Sequence, residues 1–406
     1  MFRVWAIIVV TATVARADDW PRFMGIRGDG RSNETGLQRS WPKEGPPKLW
    51  EITTGSGYAG PSVAQGRVFL FHRVGDEEIL DCLEAASGRP IWRYAAPTGY
   101  VDDFEFDDGP RGVPTIVGEQ VFALGAEGRL LCCAFATGKL LWQRELQKDY
   151  PFRKGYFGVG VSPVVEGDIV VVNVGARDAG VVAFDRRTGE ERWWAGQDAA
   201  SYSTPIVANV QGQKRLIVLT RQGLLVLNPE NGQIIHQRPF RARIDASVNA
   251  ASPIVADDHI FLSASYGVGA LQLNTRDWSA VWKGDSLECH YNTPVLVAGN
   301  LYGSHGRQEA GASLRCVDWK TGQLRWEKEG FGCSWLIAAD GMLIAVRETG
   351  EITLLEATPQ AYRERSSFRA FEVGRHRSQA LRAAPAFADG ILYVRGPRKL
   401  SAWNLK

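Results

Sequence analysis

The chain lacks an excess of charge of either sign: 47 basic residues stand against 45 acidic ones over 406 positions, a net charge of +2. That balance supplies no basic field for a phosphate backbone, so nucleic acid is excluded as the main partner. Cysteine and histidine are scarce, six of each, and none shows the paired close spacing of a zinc cluster. Beyond the first residues, no apolar run approaches the length of a membrane span. What the sequence offers in place of these features is repetition.

The first seventeen residues stand apart from it. Met1-Phe2-Arg3 is a short basic start, Val4 to Val14 is apolar but too short for an ordinary spanning helix, and Ala15-Arg16-Ala17 is a small-x-small cleavage site. A secretory signal peptide is expected over 1–17, with the mature chain exported to the periplasm or beyond. Asp18 follows the cut and the first cysteine is Cys82, so no lipid anchor and no membrane span are expected. Losing Arg3 and Arg16 leaves 47 − 2 = 45 basic residues against 45 acidic ones.

A Thr-Gly or a variant of it, followed four residues later by Trp, recurs through the rest. It stands as Ser87-Gly88 to Trp92, Thr137-Gly138 to Trp142, Thr188-Gly189 to Trp193 and Thr321-Gly322 to Trp326, with eroded copies at Asn231-Gly232 to His236 and Asn274-Thr275 to Trp282. A period of about forty to fifty residues in a β pattern marks a propeller. Each unit opens on a small or polar residue before Pro, as at Gly60-Pro61, Val113-Pro114, Ser162-Pro163, Thr204-Pro205, Ser252-Pro253, Thr293-Pro294 and Ala384-Pro385. In one unit the opening reads Ser334-Trp335, which brings the total to eight.

After each opening come a Gly- or Asp-containing turn, a β-branched strand such as Ile169 to Val172, a third strand, the Thr-Gly turn and a fourth strand carrying the Trp. The expected fold is all-β: an eight-bladed β-propeller of four-stranded antiparallel blades. Its last unit stops after Trp403, one strand short, and Pro47 to Ile52 can supply the missing outer strand, with Trp50 in the repeated position. Pairing of the N- and C-terminal strands would remove the open edge. The domains are then an 18–46 leader and a single propeller over 47–406, expected to be a monomer. The Trp side chains at 50, 92, 142, 193, 282 and 326 are read as structural, each covering a seam between blades.

The string Ala183 to Trp193, an Ala-x-x-x-Thr-Gly-x-x-x-Trp, resembles the tryptophan-docking repeat of pyrroloquinoline-quinone (PQQ) propellers. That group includes PQQ-dependent alcohol dehydrogenases and the non-enzymatic assembly protein BamB, and Asp19-Trp20-Pro21-Arg22-Phe23 to Gly36-Leu37 is similar to the leader of exported BamB-like propellers. For an enzyme the resemblance implies PQQ, a calcium ion held by Glu and Asn, an Asp base, an Arg and a stacked Trp. Gly125-Ala126-Glu127-Gly128 matches the family's Gly-Ala-Glu stretch only superficially, because it sits at a hairpin turn. No ligand set carries over, and neither a catalytic residue nor a metal site is assigned.

The cysteines are read through the same alignment. Cys82, Cys132 and Cys316 each lie six residues before a turn glycine, where the third unit has Ala183, and so are small buried residues. Quinoprotein alcohol dehydrogenases use an adjacent-cysteine disulfide beside the cofactor, placed after a Trp motif. Here Cys132-Cys133 precedes the motif, on a strand where successive side chains face opposite ways. Cys289 and Cys333, before the inner strands of the sixth and seventh blades, are a candidate disulfide.

A binding site is expected where the inner strands and their loops converge on the channel. Candidates are Tyr202, Asp245, Asn249, His290, Asn292 and Arg382, with Asp107 and Arg111 from the long loop Tyr100 to Arg111. Two readings stay open: a non-catalytic exported module that binds a protein, peptide or glycan, and a quinoprotein oxidoreductase of the PQQ-dependent alcohol dehydrogenase type.

Overall fold

The computed structural model describes residues 18–245, 247–374 and 379–406. The expected signal peptide lies outside them. Within them the chain forms eight four-stranded antiparallel sheets. In the first blade the strands are Ser62–Ala64, Arg67–Val74, Glu77–Glu84 and Pro90–Pro97, paired in chain order. Six more blades follow the same order, and the eighth is composite. Its strands Ala386–Ala388, Ile391–Gly396 and Lys399–Asn404 take Lys48–Thr53 as their outer member, with Trp50 opposite Ala402 and Ile52 opposite Leu400. The ring is closed by its own ends, as expected.

Local chemistry explains the blade. The inner hairpins turn on consecutive left-handed residues, Gln65 and Gly66 at φ 52° and 74°, Asp340 and Gly341 at 51° and 72°, which is the two-residue turn that matches strand twist. All of the docking Trp except Trp326 lie against the turn glycine of the following blade, not their own. A Cβ on Gly138 would strike Trp92 at 2.4 Å, one on Gly232 would strike Trp193 at 2.5 Å, and one on Gly322 would strike Trp282 at 2.5 Å. Each indole N–H also donates to a carbonyl of that blade: Trp50 to Ala85, Trp92 to Phe135, Trp142 to Arg186, Trp193 to Pro229 and Trp282 to Trp319, all at 2.9 Å, and Trp326 to Thr358 at 2.8 Å. The repeat therefore joins adjacent blades through a flat ring, a missing side chain and one hydrogen bond.

Three seams depart from it, the first at Trp326, which keeps its hydrogen bond to Thr358 but meets no turn glycine. Four residues before Trp282 stands Trp278 at φ 60°, so the glycine position of that blade falls at Trp278 and not at Thr275. The partner there is His236, stacked on Trp278 with ring centroids 4.2 Å apart and planes 4° from parallel. In the seventh blade Ser366 occupies the Trp register, and the leader fills the gap. The Trp41 backbone N–H donates to Ser366 Oγ at 2.7 Å, and its ring meets Phe368 edge-on at 5.7 Å.

The leader is bound along the ring face that carries the inner hairpin turns. Trp20 and Val63 exchange backbone hydrogen bonds at 2.8 Å, Ser32 N–H donates to Ala338 and Gln38 N–H to Leu405 at 2.9 Å, and Asp340 Oδ2 accepts from Gly36 and Leu37. Trp20, Met24, Leu37 and Trp41 are buried. Their burial makes the leader part of the fold.

All six cysteines are buried and free. Cys82, Cys132 and Cys316 sit opposite Trp92, Trp142 and Trp326 in register, the packing role expected of them. Cys132 belongs to the cluster between blades two and three, whereas Cys133 belongs to the one between blades one and two. They point away from each other and form no vicinal bridge. The candidate Cys289–Cys333 bridge is not made either: both thiols are free, with Cys333 near Tyr291, Glu348 and Cys289 itself.

Candidate functional site

The loops that enter the inner strands meet at one end of the channel and enclose a cavity of about 180 Å³. Phe23 of the leader reaches this cavity from the opposite face and meets Trp335 edge-on, 5.6 Å between centroids and 87° between planes. A leader ring thus forms part of the wall of a cavity otherwise lined by residues of the propeller. Of the eight candidate residues, Arg111, Tyr202, His290 and Arg382 line this cavity together.

Their settings are fixed by short contacts. Arg111 donates from Nη2 to Asp102 Oδ2 at 2.5 Å, and its guanidinium lies 5.6 Å from the Tyr58 ring centroid and 5.9 Å from that of Phe157. Arg382 donates to the Tyr58 hydroxyl at 3.0 Å and lies 4.8 Å from the Phe106 centroid. His290 faces Gln308 Oε1 through Nδ1 at 2.9 Å, so Nδ1 carries the proton and Nε2 accepts from the Tyr266 hydroxyl at 3.0 Å. Burial holds His290 below the ordinary imidazole value, which keeps it neutral near pH 7.

The phenols are equally quiet. Tyr202 accepts the Phe157 backbone N–H at 2.7 Å and burial pushes its pKa up to about 12. Burial raises Tyr58 as well, and Tyr291 well above the usual phenol value. Among the described residues no Asp or Glu lines the cavity. Its wall holds rings and two guanidiniums, and both His290 nitrogens are already engaged.

The other candidates lie elsewhere. Asp107 borders a second cavity of about 610 Å³ beside the channel, next to Arg395 and Arg398. Asn249 is a loop strut, donating from Nδ2 to Thr220 and Phe240 carbonyls at 2.8 and 2.9 Å. The Asp245 side chain is 98 % exposed and pairs with Arg241. Asn292 is buried outside the cavity wall, and neither of its amide atoms has a hydrogen-bond partner. Sequence reasoning missed Tyr58, Phe157 and Trp335 as lining residues. Trp335 did carry a signal, since it replaces the proline that opens most other units.

The family model described as outer membrane protein assembly factor BamB matches residues 43–206 and 76–328. The chain belongs to this BamB family. BamB of Yersinia pestis is 24 % identical over 261 residues, 59 % of this chain and 64 % of that protein. Quinohemoprotein alcohol dehydrogenase ADH-IIG of Pseudomonas putida is 30 % identical over 140 residues, 33 % of this chain and only 19 % of its own length. The chain thus spans less than two thirds of each. The crystal structure of BamB from Moraxella catarrhalis superposes with a TM-score of 0.66 at 14 % identity, covering 89 % of this chain and 98 % of that one, a likeness of fold.

The quinone chemistry of the dehydrogenase relatives can be tested against the BamB-family site here. It would need a carboxylate base and a calcium ligand in the cavity wall, and the described wall offers neither. Among the described residues no three Asp, Glu, His or Cys side chains converge as a metal site. The adjacent cysteines face different blade seams. The residues present do not fit PQQ with calcium.

Proposed function

We propose that this chain is an exported, monomeric, non-catalytic β-propeller that binds a protein, peptide or glycan through its loop face and channel mouth. One observation carries the reading: an aromatic cavity with two arginines on its wall and, among the described lining residues, no carboxylate available as a base. Such a surface offers burial and hydrogen-bond donors, the ingredients of recognition. Membership of the BamB family supports it, and so does the exposed loop-face ring Phe104, packed against Phe157 at 5.5 Å. No described helix is long and apolar enough to cross a membrane. The signal peptide read over 1–17 supports export.

The test is a binding screen of residues 18–406 against peptide and glycan arrays, in parallel with Phe104→Asp. Retention of a discrete ligand set that Phe104→Asp loses is the expected result. Retention unaffected by the change, or no retention at all, would refute the assignment to this face.

A further inference from the structure

The polar side chains on the described wall of the central cavity already have partners within the protein, which limits what the cavity can take. Arg111 is neutralised by Asp102 at 2.5 Å, a carboxylate with no exposed side-chain surface. The Tyr291 hydroxyl donates to Glu348 Oε2 at 3.2 Å, the Trp335 indole N–H to the Arg382 carbonyl at 2.8 Å and Gln308 Nε2 to Glu309 Oε1 at 2.9 Å. Ser162 Oγ and Thr204 Oγ1 accept backbone N–H groups at 2.9 and 3.2 Å. Tyr58, Tyr202, His290 and Arg382 are held by the contacts given above.

An ion entering such a wall would lose its water and meet no group waiting for its charge. A ligand cation would also stand beside two guanidiniums, which lie over the Tyr58 ring at 5.6 and 5.4 Å, so the aromatic wall is no cage for it. Both signs of charge are disfavoured.

Size and shape narrow the occupant further. The volume, about 180 Å³, is close to that of the ~150 Å³ apolar cavity that admits one benzene molecule. Trp335 and Phe23 stand edge to face at 5.6 Å and 87°, and Phe106 and Phe157 do the same at 5.5 Å and 89°. A third ring among them gains the same edge-to-face contacts, which a saturated ring of similar size does not. We infer that the cavity is a binding site for one small, uncharged, single-ring aromatic molecule, an assignment that rests on the non-catalytic binding reading above.

Calorimetric titration of residues 18–406 with toluene, methylcyclohexane, benzoate and benzylammonium tests this. Toluene is expected to bind roughly twofold to tenfold more tightly than methylcyclohexane, the worth of aromatic pairing, and roughly a hundredfold or more tightly than either ion. Ala250→Leu, which adds bulk to a wall residue, should abolish toluene binding with the circular dichroism spectrum retained. Phe23→Ala, a change in the leader and not in the ring, should weaken toluene by roughly twofold to tenfold through loss of one ring contact. Benzoate or benzylammonium binding as tightly as toluene overturns the assignment, and so does equal binding of toluene and methylcyclohexane. A protein that captures a macromolecule through Phe104 yet binds no toluene also overturns it, and the partner-binding reading then survives. Conversely, a protein that binds toluene with this selectivity but retains no macromolecule supports the aromatic site and overturns the partner-binding reading.

Discussion

Trp193→Ala should be among the most damaging single changes in the ring. The indole is 8 % exposed, packs on Gly232 and donates at 2.9 Å to the Pro229 carbonyl. Removing a buried Trp costs about 3–5 kcal/mol, including the unfilled space. Trp193→Phe keeps most of the ring and loses the N–H, for about 1 kcal/mol. Gly232→Ala attacks the same contact from the other side. Its Cβ would come within 2.5 Å of the indole, and φ is 73°, where a non-glycine residue costs a further ~1–2 kcal/mol. In the double variant the indole is gone and the clash disappears, so Gly232→Ala adds only its backbone cost to the loss of the Trp. The sum of the single effects should therefore exceed the double effect by more than about 1 kcal/mol. Urea denaturation followed by circular dichroism measures all four proteins. Additive effects, or a Trp193→Phe as costly as Trp193→Ala, would refute the reciprocal docking.

Trp41→Phe should cost under ~1 kcal/mol, because the Trp41 indole nitrogen is buried without a partner, whereas Trp41→Ala should cost ~3 kcal/mol and expose the leader to limited proteolysis. For His236, burial lowers the folded pKa below 6.5, so its contribution to stability is present above pH 6.5 and is lost as pH falls toward the folded value. Unfolding free energies between pH 7.5 and 5.5 should thus decline more steeply for the wild type than for His236→Gln, and parallel slopes would count against the assignment. Burial also pushes the thiols up, to about 11 for Cys82 and Cys316 and about 12 for Cys132, Cys133 and Cys289. Ellman's reagent should find no reactive thiol in the native protein and six after denaturation. Four after denaturation would reveal a bridge.

The architecture was legible because it is local. A turn glycine needs a left-handed φ and a docking Trp needs a flat partner, so Gly138, Gly189 and Trp142 announce themselves at fixed spacing. The missing outer strand was legible from Trp50 for the same reason. The eroded fifth repeat was harder: spacing back from Trp282 leads to Trp278, a residue that does not look like a glycine substitute until its φ of 60° and its stack on His236 are known. The cavity was only half legible. Loops could be named from the sequence, but whether Asn249 faces the channel or ties Thr220 to Phe240 depends on tertiary contacts, as does the meeting of Phe23 with Trp335, which is far from it along the chain.

On the function proposed, this propeller keeps the repeat of the quinoproteins without binding their cofactor. Incubating residues 18–406 with PQQ and Ca²⁺, separating free quinone by gel filtration and recording the absorbance spectrum of the protein peak tests it most directly. The expected spectrum shows protein alone, with no alcohol-dependent dye reduction by the same fraction. A stoichiometric quinone band that travels with the protein would contradict the claim.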